Sequence, residues 1–273
     1  MLLSNKEKML IFKTTLRFIG FALLGIFLLM SFSALIAFLN GRDGSLYPLL
    51  ISAGITLVIA LACVLGTKPN RRIDLKTGFS IVTGCWVAAC FFGALPFVMY
   101  GHEFTFVNAL FESVSGFTTT GASILNDIEA VPKGLLFWRV ATSWIGGIGV
   151  VSLVSIVVST RNDSHSQLAG MELSSIAKEY YSGRRRQFIY RILVVYVGLT
   201  LMSVYGLHLA GMSWFDAGAH AMSACSTCGF STKNLSVAAF NSVTVEAILC
   251  VSMLMASINF SLIFSTFWPS GPN

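Results

Sequence analysis

Thr118-Thr119-Thr120-Gly121-Ala122 places a glycine after a row of small hydroxyl residues. Glycine tolerates dihedrals that other residues avoid, and threonine hydroxyls add oxygen ligands. Such a segment suits a backbone whose carbonyls turn toward something other than the chain itself. It closes a longer polar stretch, Asn108 to Ser123. The first part, 108–117, is long enough for under three turns of helix. A short re-entrant helix running into a carbonyl-lined strand is the way potassium-channel filters are built in other proteins.

Other residues invite chemistry less directly. Cys225-Ser226-Thr227-Cys228 has the spacing of redox and zinc sites, but the second pair that a structural zinc site needs is not present, and no soluble βαβ pattern surrounds it. No His-x-x-x-His pair, Ser-His-Asp set or phosphate-cradling loop is found, so the chain is not read as an enzyme and no cofactor is expected. Glu112 lies in the first polar helix. It either raises the local cation potential or braces the strand by hydrogen bonding. Arg139 can snorkel, pair with an acid such as Glu112, or act as an electrostatic gate, and His208 reads as a packed or interfacial ring.

These residues must be positioned by elements in a bilayer. The 273 residues are 55% hydrophobic and 11% charged, against about 25% charged in a soluble domain, and mean hydropathy is +0.76. The fold class is an all-α polytopic membrane protein. A span needs roughly 20 mostly apolar residues, which predicts helices at 18–39, 46–65, 78–99, 134–159, 188–210 and about 243–267. Leu168 to Tyr181 is expected to form an amphipathic helix within a polar connection ending in Arg184-Arg185-Arg186. No cleavable signal peptide is expected, because the first apolar run is long and no small-residue cleavage site follows it. Small residues every fourth position, Ser80-Gly84-Ala88 and Ala89-Gly93, allow close helix packing in lipid. Gly146-Gly147-Ile148-Gly149 reads as a packing site or a hinge.

The net charge of +6 is a topology signal rather than a nucleic-acid signal. With a cytoplasmic N-terminus and both short polar helices entering and leaving on one side, 14 of the 18 Lys and Arg lie inside. Only Arg42, Lys133, Arg139 and Lys233 lie outside. The basic 161–191 cluster stays inside only if 108–123 does not cross.

Shifting the chain by 108 residues sets Phe215–Ser231 under Val107–Ser123 without a gap, with five identities in 17 positions. These are Ala109/Ala217, Ser115/Ser223, Thr119/Thr227, Gly121/Gly229 and Ser123/Ser231, while His220 falls at the place of Glu112. The surrounding order repeats too: span, short polar helix, Thr-x-Gly, polar loop, span. The organisation expected is two accessory helices (1–67), a helix–pore loop–helix repeat (68–160), a cytoplasmic loop (161–187) and a second repeat (188–273).

Phe111-Glu112-Ser113-Val114-Ser115-Gly116-Phe117-Thr118-Thr119-Thr120-Gly121-Ala122-Ser123 resembles the first pore loop of the Trk/Ktr-type potassium-uptake family, in its TrkH/TrkG branch. Phe137-Trp138-Arg139 with Trp144 to Gly149 is similar to that family's following helix. Asp216 to Ser223 with Cys228 to Thr232 resembles its second pore loop, with Cys228 where glycine is commoner. The resemblance implies potassium transport, with sodium or proton coupling both open, in a bacterial inner membrane. It places the ion on backbone oxygens of Thr118 to Ala122 and of Ser226, Thr227, Cys228, Gly229 and Phe230. Direct contacts are expected at Thr119, Thr120, Thr227 and Cys228, with Glu112, Arg139 and His220 supporting the filter. It also implies four repeats around one pore, so two repeats are expected not to conduct alone. The expected partners are a missing C-terminal half or a second copy, a cytoplasmic nucleotide-binding subunit of the TrkA kind, a homodimeric mate and membrane lipid. A non-transporting membrane scaffold or truncated fragment is the rival reading.

Overall fold

The computed structural model describes residues 5–68, 75–159 and 185–258, and the regular structure among them is helical. The helices are α1 (Asn5–Leu39), α2 (Leu46–Leu65), α3 (Leu75–Tyr100), α4 (Phe106–Phe117), α5 (Lys133–Ser159), α6 (Arg185–Leu209), α7 (Trp214–Cys225) and α8 (Val243–Ser257), with a 3-10 turn at Ser236–Phe240. The expected amphipathic helix at 168–181 and the end of the sixth span lie outside the described residues.

Four stretches, Lys8–Leu39, Leu46–Leu65, Thr77–Tyr100 and Tyr190–Leu209, are long and apolar enough to cross a membrane. The 20 residues of α2 rise about 30 Å, which matches the hydrocarbon thickness. Their outward faces carry large exposed side chains such as Leu28, Val58, Val87 and Leu201. In lipid those faces need no partner. Helix α1 starts well before the apolar run at 18, since Lys8 and Lys13 are good helix formers and stay exposed. Arg17 turns inward and donates from Nη1 to the Val64 carbonyl at 3.0 Å, satisfying an open carbonyl at the end of α2. By contrast, α4 and α7 have 12 residues each, about 18 Å of helix, too short to cross.

The chain folds as two compact units, residues 1–117 with 122–142 and residues 118–121 with 143–273. In the first unit, the α1–α2 turn grips the start of α5. Asp43 Oδ2 accepts the Gly134 N–H at 2.9 Å, and a Cβ on Gly134 would lie 2.6 Å from Ala37 Cβ. Gly93 on α3 fits against the pore helix, where a Cβ would come within 2.4 Å of the Phe117 ring. Trp138 of α5 donates to the Gly93 carbonyl at 3.0 Å. In the second unit, Leu207, Met212, Ala217, Ala221, Ala224, Val245 and Leu249 form a core shared by α6, α7 and α8.

Candidate functional site

The two short helices follow one plan, down to individual atoms. The shift of 108 that aligns the sequences carries Phe106–Phe117 onto Trp214–Cys225 end for end. The hydroxyl before each helix caps it: Thr105 Oγ1 accepts from Asn108 N at 3.4 Å, and Ser213 Oγ from Asp216 N at 3.1 Å. Both chains then turn through left-handed backbone at the same two places. Thr119 and Thr227 each have φ 55°, Gly121 has φ 75° and Gly229 φ 92°. A β-branched residue in that region is strained, and such strain persists only where its surroundings enforce it.

The enforcing contacts also repeat. In the first loop, Ser123 Oγ donates to Glu112 Oε1 and accepts from Leu125 N at 3.1 Å. In the second, Ser231 Oγ sits 3.0 Å from His220 Nε2 and accepts from Lys233 N at 3.0 Å. His220 Nδ1 lies 2.8 Å from the Asp216 carbonyl, which can only accept, so Nδ1 carries the proton and Nε2 of the neutral ring accepts from Ser231. A carboxylate and an imidazole thus do the same work, holding the segment that leaves the loop. Ser115 and Ser223 tie the loops back to their helices, through the Ala122 carbonyl at 2.6 Å and the Gly229 N–H at 3.1 Å.

Glu112 needs more than this because it is charged and fully buried. Its Oε1 also accepts from Ile124 N at 2.7 Å, and Arg139 Nε donates to its Oε2 at 2.9 Å, with both side chains at most 2% exposed. The pairing of Arg139 with Glu112 considered from sequence is present. An anion so neutralised by a cation and two further donors is a brace first.

These anchors leave carbonyls unoccupied where the backbone turns. Among the described residues, no hydrogen bond is accepted by the carbonyls of Thr119, Thr120, Gly121, Thr227 or Gly229. Ala122 and Ser226 each use their carbonyl for a hydroxyl, from Ser115 and from Thr227. Within the second unit the two loops meet: a Cβ on Gly121 would stand 1.9 Å from the Cys228 carbonyl oxygen. Gly121 is therefore glycine both for its φ and for that approach. Cys228 keeps its side chain buried.

Several supporting residues carry little signal in the sequence. Ser226 Oγ donates to Ser143 Oγ at 3.2 Å, and Gly147 fits under the same residue, its absent Cβ falling 2.7 Å from the Tyr196 hydroxyl and 3.3 Å from Ser226 Cβ. That makes Gly147 a packing position. Tyr196 donates to the Trp144 carbonyl and Trp144 to Thr200 Oγ1, each at 3.1 Å. His208 stacks on Trp214 at 3.8 Å between ring centroids and is a packed ring. Ser115, Ser123, Ser223 and Ser231 did have a signal, since they make up two of the five identities between the repeats.

Comparison with known proteins gives this geometry a family. The cation transport protein family TrkH matches residues 50–270. The chain belongs to the TrkH family. The Trk system potassium uptake protein TrkH of Vibrio parahaemolyticus is 30% identical over 266 residues, covering 95% of this chain and 54% of that protein. TrkG of Escherichia coli K12, also a Trk system potassium uptake protein, is 33% identical over 200 residues, 72% of this chain and 41% of its own. The crystal structure of the potassium transporter TrkH from Vibrio parahaemolyticus superposes with a TM-score of 0.80 at 27% identity, covering 95% of this chain and 53% of that one. The chain thus spans about half the length of the TrkH relatives it matches. Its TrkH relatives are transporters, and the chain itself is a multi-pass helical membrane protein of their fold.

Proposed function

We propose that this chain supplies two of the four walls of a potassium-translocating filter. In this reading residues 68–160 and 188–273 are pore repeats, 1–67 an accessory pair and 161–187 their connection. The ion is held by backbone oxygens of Thr118 to Ala122 and Ser226 to Phe230, chiefly at Thr119, Thr120, Thr227 and Cys228. A cation losing its hydration near the bilayer midplane needs replacement oxygens, and uncharged carbonyls let it leave again. The observation that carries the proposal is the pair of strained loops whose carbonyls at Thr119, Thr120, Gly121, Thr227 and Gly229 take no hydrogen bond among the described residues.

Two walls leave the ion half-coordinated, so the remaining ligands come from further pore loops, in the same or another polypeptide. Expression in bacteria lacking potassium uptake tests this by growth at low potassium. The chain alone is expected to give no growth. Supplied with the two further loops it should restore growth, and Gly121→Asp should abolish it. Growth with the chain alone would overturn the half-filter reading. No growth in the complete combination would overturn transport and favour a membrane scaffold. The resemblance further implies an inner-membrane location, a second copy and a nucleotide-binding partner of the TrkA kind; the basic 161–191 segment offers that partner a contact and offers anionic lipid headgroups an equal one. Residues 161–184 of that segment lie outside the described residues.

A further inference from the structure

The turn between α1 and α2 occupies residues 40–45, and both helices are long and apolar enough to span. A connection this short between consecutive spans must lie at a bilayer face, at headgroup depth. From it an open groove of about 530 Å³ runs between the two helices, lined by Leu35 and Phe38 of α1 and by Leu46 and Leu50 of α2, with Arg42 and Tyr47 at its surface end. Its deep end is Ser31, whose hydroxyl is already given to the Phe27 carbonyl at 2.8 Å, so the floor offers no open donor there. Ser31 and Phe38 are seven positions apart on α1, about 10 Å along the helix axis.

Arg42 is placed there by a rigid turn. Its φ is 58°, its N–H is given to the Phe38 carbonyl at 3.3 Å, and its guanidinium stands 5.4 Å from the centre of the Phe38 ring. Among the described residues no carboxylate or carbonyl takes the guanidinium N–H groups. The neighbouring acid, Asp43, is committed to Ser45 and to the Gly134 N–H. A guanidinium matches a phosphate with two parallel donors. Tyr47, 71% exposed, sits where tyrosines mark the membrane interface.

A positive fork at headgroup depth above an apolar groove directed into the hydrocarbon is complementary to one molecule. We propose that this groove binds a phospholipid, with one acyl chain along α1 between Phe38 and Ser31 and the phosphate on Arg42. The site is independent of the pore loops and of the transport reading.

The test is native mass spectrometry of the chain released from mild detergent, titrated with phosphatidylglycerol and with a diacylglycerol of the same chains. One phosphatidylglycerol per chain should be retained in preference to diacylglycerol. Arg42→Gln should weaken its retention about tenfold, the loss of one charge-assisted contact, and Arg42→Lys should fall between the two. Leu35→Trp fills the groove from an exposed position and should lower retention of both lipids. A melting curve unchanged from the parent shows that each variant is folded. Equal retention of the two lipids, or of phosphatidylglycerol by the parent and Arg42→Gln, would overturn the proposal. So would a Leu35→Trp chain that keeps its lipid but changes its oligomeric state, which would identify a second copy as the occupant.

Discussion

Glu112 and His220 stand at one position of a repeated unit, yet one is a carboxylate and the other an imidazole. What the position requires is an acceptor for the serine hydroxyl eleven residues on, and either group can provide it. The charged version needs Arg139; the neutral version does not. Arg139→Met should therefore leave a buried anion and cost about 3–5 kcal/mol, read as a lowered unfolding midpoint in detergent. Adding Glu112→Gln should recover much of that loss, because the amide still accepts from Ser123 and Ile124. A double variant as unstable as the sum of the singles would show that the pair does not act as a unit. The neutral version is sensitive to acid instead. Burial holds the His220 pKa below its usual value, although the neighbouring Asp216 opposes this. A depressed folded value means the unfolded chain takes up the proton first. The stability from neutral His220 is present above about pH 6.5 and lost as pH falls through the folded value. Melting curves from about pH 7.5 to 5 should show the decline, and His220→Gln should flatten it.

The pore helices are held by close approach rather than by length. Gly93 of α3 lets the Phe117 ring and Ser113 sit against the backbone, and Ser113 donates to the Cys90 carbonyl at 2.7 Å. Gly93→Leu should overpack this contact and cost about 1–3 kcal/mol, with part recovered by Phe117→Ala, as read by thermal unfolding. The helix Phe106–Phe117 was legible as a short polar interruption between apolar runs, and its repeat as an identity pattern. Its start two residues before Asn108 was not, because the cap is Thr105 and that hydroxyl works only in the folded turn. The grip of Asp43 on the start of α5 was equally hidden. It joins residues 91 positions apart, and nothing in their local sequences points from one to the other.

At the scale of the molecule, the lysine and arginine distribution sets an expected topology. Single cysteines at Asn126 and Asn234, each in a loop after a pore helix, should both react with an impermeant thiol reagent from outside intact cells. Lys68→Cys should react only after permeabilisation. These substitutions are made in a background whose native cysteines are replaced. Labelling of Asn126→Cys and Asn234→Cys from opposite faces would rule out two re-entrant loops.

Composition and periodicity determined that the chain is a multi-pass helical membrane protein and that one unit occurs twice. Those features follow from short-range demands, about 20 apolar residues per span and a glycine where φ must be positive. The tertiary structure alone decided which groups meet. It set Arg139 on Glu112, Ser226 on Ser143, and Gly121 against the Cys228 carbonyl. Each of these joins residues far apart in sequence, and the fit depends on distances of a few tenths of an ångström that no pattern of residue types encodes.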